Sequence, residues 1–144
     1  MEETKYSKYF VDCTRPPSDA PKRHTGLGSG VFNIKNVMEE FPEANASGSG
    51  LYYSEPHIMV KNTHIHDFDE YLLFLGTNFS DIKDFDAEVD IAMGEEEQIH
   101  TITSPTILFV PAGLVHCPLN FRKINKPIFF FHFRIHDREE ENTK

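Results

Sequence analysis

From Leu51 onward, short apolar or alternating runs follow one another at close intervals, separated by Gly, Pro, Asp and Asn. Runs at Leu51–Ser54, His57–Lys61, Thr63–His66, Tyr71–Gly76, Ala87–Met93, Gln98–Thr103, Thr106–Val110 and Pro127–His136 have strand length, and their succession predicts a β-sandwich or barrel. Glu88 and Asp90 alternate with Val89, Ile91 and Met93, the pattern of a strand with one wet face. In the last run the period of two puts Ile128, Phe130, His132 and Arg134 on one face and Phe129, Phe131, Phe133 and Ile135 on the other. The connections follow: Met93–Glu97 reads as a hairpin turn, Asn78–Asp86 as an acidic rim loop, and Phe121–Lys126 as a further turn.

Before Leu51 the pattern is weaker. Pro16, Pro17, Pro21, Gly26, Gly28 and Gly30 mark residues 1–30 as an irregular arm. The stretch G-L-G-S-G lacks the Lys-Ser/Thr of a phosphate loop and reads as a turn. Val31–Ile34 predicts a short strand, Asn36–Phe41 one turn of helix stopped by Pro42, and Ala44–Gly50 a loop of small residues. The division expected is therefore 1–50 as N-terminal arm and edge strands, 51–136 as the barrel, and 137–144 as a charged tail.

At 144 residues the chain is the size of one domain able to bury a core without staples. Its 14 basic and 23 acidic residues, a net charge of −9, argue against a nucleic-acid backbone or an anionic membrane surface as partner. No apolar run approaches the ~20 residues of a membrane span, and a cytoplasmic location is the default expectation. Cys13 and Cys117 are expected as free thiols. Thirteen phenylalanines and no tryptophan suggest a dry β interior.

The chemistry concentrates at Thr63–Gly76, T-H-I-H-D-F-D-E-Y-L-L-F-L-G. If His64–His66 is extended, both imidazoles share a face and Ile65 takes the other. A turn through Asp67, Phe68 and Asp69 would return Glu70 beside them. Downstream, P-A-G-L-V-H-C-P-L-N places His116 after a tight turn. Adjacent side chains diverge on an extended segment, so Cys117 is expected to pack as a small apolar residue rather than join His116. One of Tyr52 and Tyr53 must face inward. His132 shares a face with Phe130 and Arg134, either as a cavity acid/base group or as a hydrogen-bonded barrel histidine. His57 is a cavity or surface residue, and no partner is assigned to His24, His100 or His136.

Together the two segments resemble the paired motifs of the cupin superfamily, G-x5-H-x-H-x3,4-E-x6-G and G-x5-P-x-G-x2-H-x3-N. Here they read His64, His66, Glu70 and Gly76, then Pro111, Gly113, His116 and Asn120. Gly76 comes one residue early, and Ile58 and Pro105 stand where the leading glycines occur. The resemblance spans about half the chain, Ile58 to Asn120. It implies an all-β fold, the cupin-type double-stranded β-helix or jelly-roll barrel. It further implies a metal held by His64, His66, Glu70 and His116, a turn at Pro111 and Gly113 that presents His116, and a structural or supporting role for Asn120.

Three imidazoles and a carboxylate suit one divalent transition metal, with Fe, Mn, Ni, Co and Zn all compatible. The function expected is a small-molecule metalloenzyme acting on an oxygen-rich substrate, such as a keto acid, sugar derivative or phenolic compound, by oxygenase or isomerase/lyase chemistry. His132 is the candidate catalytic acid/base. The alternative is a non-catalytic ligand-binding or sensor module using the same pocket. A homodimer is expected, since a lone barrel leaves sheet edges to cover.

Overall fold

The computed structural model describes residues 5–14 and 28–135, with side chains left out at 28–31. Most of the N-terminal arm, His24, His136 and the tail lie outside the described residues. Among the described residues there are nine strands: β1 Gly28–Asn33, β2 Ala46–Tyr53, β3 His57–Val60, β4 Glu70–Gly76, β5 Ala87–Met93, β6 Gln98–Ile102, β7 Thr106–Val110, β8 His116–Ile124 and β9 Ile128–Ile135. A short helix, α1 Lys35–Glu40, lies between β1 and β2. The strands make a five-stranded sheet, β1-β2-β9-β4-β7, and a four-stranded sheet, β3-β8-β5-β6. Every pairing within them is antiparallel, as a jelly-roll barrel requires. No helix among the described residues is long and apolar enough to cross a membrane.

Three expectations are corrected. Residues 46–50, expected as part of a loop of small residues, belong to β2. Small residues hid it, because the strand needs them: Gly48 has φ +154, and a Cβ there would run into the carbonyl oxygen of His132 on β9. The turn expected at Phe121–Lys126 is mostly the second half of β8, pairing with β3 and β5. Thr63–His66 is not a ladder strand; its strand-type pairing is an isolated bridge from His64 to His116.

The inner face of the large sheet is layered by register. Ser47, Arg134 and Glu70 stand side by side on β2, β9 and β4, and Ser49, His132 and Leu72 form the next row. Leu51, Phe130 and Phe74 follow, then Tyr53 beside Ile128. Leu51, Tyr53, Phe74, Ile128 and Phe130 are buried. They meet Val89, Ile91, Leu119 and Phe121 of the small sheet in one apolar cluster. Phe121 joins the sheets, with its ring 4.0 Å from Tyr53 and 5.5 Å from Phe130. That end of the barrel is closed.

The phenylalanines are not confined to this interior. On the outer face of the large sheet, Phe32, Phe131, Phe133, Tyr71 and Phe109 form a continuous stripe with successive ring centroids 5.1, 5.1, 4.9 and 5.3 Å apart. Phe109 and Ile107 on β7 stay exposed.

Candidate metal centre

The polar rows line the opposite end of the barrel, which opens into a cavity of about 700 Å³. Its walls carry His64, His66, Glu70 and His116 together with His132 and Arg134. Backbone pairing explains how two distant segments meet there. The His64 N–H donates to the His116 carbonyl at 2.9 Å, and the His116 N–H returns to the His64 carbonyl at 3.0 Å. The Gly113 N–H donates to the His66 carbonyl at 2.9 Å, from a turn closed by Leu114 N–H to Pro111 carbonyl at 3.2 Å. Gly113 has φ +86, which suits glycine at that turn. Asp69 ties the loops a second time, its Oδ1 accepting from the Ala112 N–H at 2.9 Å.

His64 and His66 point to one side and Ile65 to the other, 58% exposed, as an extended segment dictates. Ring centroids of His64 lie 4.6 Å from His66 and 4.3 Å from His116. One ligand atom from each of the three imidazoles lies within 4.8 Å of the other two. The Glu70 carboxylate, at the start of β4, is 3.6 Å from His66 Nε2. It borders the trio rather than completing a group as tight as the three histidines.

Electrostatics suit ligation. Burial, with His116 and His66 nearby, pushes His64 down to about 4. Burial, His116 and Arg134 lower His66 as well, so both rings are neutral at pH 7 and the His66–Glu70 approach is not a formal ion pair. Burial raises the Glu70 carboxyl, opposed by His116 and Arg134. His116 is only 1% exposed, and its Nδ1 lies 2.9 Å from the Leu114 carbonyl, which can only accept. Nδ1 therefore donates to it, and Nε2 is buried without a hydrogen-bond partner. An orphaned basic nitrogen facing two neutral imidazoles and a carboxylate fits a cation.

The remaining residues are sorted by the same geometry. His132 lines the cavity with Nε2 2.8 Å from Ser49 Oγ. Cys117 does not diverge from His116: its φ of +76 breaks the alternation, so both are buried and both border the cavity. Burial, then Glu70, pushes the Cys117 thiol up to about 12. Asn120, between buried Leu119 and Phe121, faces away from the cavity. Tyr53 is core, its phenol raised to about 12 by burial, while Tyr52 packs outside on Phe129. His57 stacks on Tyr53, and His100 contacts Gln98 at the surface.

Two wall residues were not singled out as site residues in the sequence. Phe68 stacks on His66 with centroids 4.5 Å apart, and the Arg134 guanidinium sits 4.0 Å from the Phe68 ring. Only the register of β9 against β4 brings Arg134 opposite Glu70. A single aromatic in the otherwise polar loop Asp67–Asp69 was the available hint.

No family model matches the sequence, and no curated protein matches it. Solved structures do. A variant oxalate decarboxylase from Bacillus subtilis superposes with a TM-score of 0.52 at 14% identity, covering 92% of this chain and 32% of that one. The chain thus spans about a third of that protein. An RmlC-like cupin from Shewanella frigidimarina gives a TM-score of 0.42 at 11% identity over 67% of this chain and 71% of that one. At such identities the likeness is one of fold.

Proposed function

The chain has the cupin fold, and on that premise we propose that its open end holds one divalent transition metal, Fe, Mn, Ni, Co or Zn, on His64, His66, His116 and Glu70. The reading makes the protein a small-molecule metalloenzyme for an oxygen-rich substrate bound at that ion. The observation that carries it is the buried, unpartnered Nε2 of His116 within a trio of imidazoles whose ligand atoms lie within 4.8 Å of one another.

A bound ion of this kind supplies Lewis acidity toward a substrate oxygen or lowers the pKa of bound water. The chain's own residues do the rest. The Leu114 carbonyl fixes the His116 tautomer, and the two backbone bonds between His64 and His116 hold the rings in register. Phe68 covers one face of His66 and keeps water from it. His132, with Nε2 2.8 Å from Ser49 Oγ, is the proposed proton donor or acceptor.

Substituting His66→Ala tests the reading, with metal measured in protein purified without chelator. Stoichiometric metal is expected in the wild type and its loss in the variant, with the far-ultraviolet circular dichroism unchanged. Full metal content in the variant removes the assignment.

A second copy of the chain is the proposed cover for the outer aromatic stripe, supported by the exposed Ile107 and Phe109 at its β7 end. Light scattering that reads only monomer at micromolar concentration rejects that part.

A further inference from the structure

One row deeper than Glu70, the cavity wall holds a serine against a histidine. Ser49 on β2 and His132 on β9 are directly opposed in register, and Ser49 Oγ lies 2.8 Å from His132 Nε2. Both residues line the cavity. Leu72 of β4 completes their row, two residues on from Glu70 and so about 7 Å further along the strand. The pair is therefore set apart from the candidate metal ligands.

The backbone around Ser49 fixes the contact. Ser49 lies between two glycines that leave no room for side chains. A Cβ at Gly48 would run into the His132 carbonyl oxygen and the Phe133 backbone, and one at Gly50 would meet the rings of Phe32 and Phe129. β2 thus passes close to β9 on both sides of Ser49. The His132 ring in turn sits beside buried Phe130, with centroids 5.7 Å apart, at the border of the dry core.

A serine hydroxyl can donate to a neutral imidazole nitrogen while its own lone pairs remain for an electrophile. A weak nucleophile within roughly 2.6–3.2 Å of a base is the arrangement that makes it reactive. The hydroxyl stands where the wall turns from polar to apolar, with Leu72 beside it and Met59, Val60 and Leu119 lining the cavity from the small sheet. Such a wall accepts a short hydrocarbon chain.

We propose that Ser49 and His132 form a nucleophile–base pair that takes the acyl group of a short-chain carboxylic ester. Ser49 Oγ bonds to the ester carbonyl carbon as His132 Nε2 accepts the hydroxyl proton, and the carbonyl π pair moves onto its oxygen. That pair returns as the bond to the alcohol oxygen breaks, and the alcohol leaves with the proton from Nε2. Water then attacks the acyl-serine and gives a proton to Nε2. The acid departs, and Oγ regains its proton. The activity stands on these two side chains and goes beyond the metal reading, adding a second reactive centre to the same cavity.

The test treats the whole protein, as purified, with an alkyl fluorophosphonate, which loses fluoride and stays bonded to a base-activated serine. Hydrolysis of para-nitrophenyl butyrate is followed in parallel. Mass spectrometry of the digested protein is expected to find the adduct on Ser49, and ester hydrolysis should vanish in Ser49→Ala. In His132→Gln the labelling rate should fall roughly 100-fold or more, the range of general-base assistance. His132→Asn is the second variant and carries the same expectation, with the fold of each variant checked by circular dichroism. Absence of the adduct from Ser49 in the wild type, unchanged hydrolysis in Ser49→Ala, or labelling at the wild-type rate in a folded His132 variant overturns the proposal. Metal content is read in the same samples. Labelling of Ser49 in protein that binds no ion upholds this proposal while the metal reading fails, and a full complement of metal with no adduct does the reverse.

Discussion

The two ends of the barrel interior are made by the same three strands, yet they are built on opposite principles. Along β2, β9 and β4, the rows Leu51–Phe130–Phe74 and Tyr53–Ile128 are dry and close-packed, whereas Ser47–Arg134–Glu70 and Ser49–His132–Leu72 border a large cavity. The change occurs within two residues of each strand, between Ser49 and Leu51, and between His132 and Phe130. A strand that is apolar at one end and polar at the other supplies stability and chemistry without a second domain. The closed end holds the register, and the register places Arg134 opposite Glu70 and His132 beside Ser49.

The division can be broken from either side, and the largest effect is expected at the closed end. Phe130→Ala removes a fully buried ring that touches Phe74, Phe121 and Tyr53 and should cost about 3–5 kcal/mol in denaturant unfolding. The molecules that remain folded should keep their metal. At the open end, His66→Ala should change metal-free stability by no more than about 1 kcal/mol, since the ring is partly exposed. Equal destabilisation by the two substitutions contradicts the division.

A smaller effect is expected where the two loops are tied. Asp69→Ala removes the acceptor for the Ala112 N–H and should cost about 0.5–1.5 kcal/mol. Metal affinity should fall with it, because the turn that presents His116 loses its tether to the His66 loop. Asp69→Asn keeps an acceptor oxygen and should recover most of both. Unchanged affinity in the alanine variant would show that the backbone bonds between His64 and His116 suffice.

The smallest effect is a pH slope in metal-free protein. His64 sits near 4 in the folded chain against 6.5 unperturbed. Between those values the unfolded chain binds a proton that the folded site refuses, so stability falls as pH drops from about 6.5 to 4. His66, also lowered, adds to that slope, and Glu70, raised by burial, opposes it. The melting temperature should decline across that window, and less so in His64→Gln. Identical slopes in the two proteins would remove His64 as the cause.

How much of this was legible before folding depended on the residue type. β5 and β7 have the bounds read from the sequence, Ala87–Met93 and Thr106–Val110, because apolar residues recur along them without a breaker. β8 was hidden by Pro118 near its start and by the Arg122-Lys123 pair, which read as a turn but lies on an exposed face. The first half of β2 was hidden because Gly48 must be small to pass β9, and small residues carry no periodic signal. At the site, spacing in the chain reported the three histidines and Glu70, and the cavity brings all four together with His132. Phe68, Arg134 and the serine rows were not legible, since each matters only through its neighbours on other strands. Cys117 packs in the apolar cluster as expected, although a single positive φ turns its side chain inward beside His116 instead of away from it.

The most direct test of the account is X-ray absorption at the metal edge of protein loaded to saturation, combined with metal analysis per chain. The account predicts one ion per chain, surrounded by three imidazole nitrogens and at least one carboxylate oxygen, with one imidazole fewer in His116→Ala. Far less than one ion per chain, or an environment that does not change when His116 is removed, would contradict it.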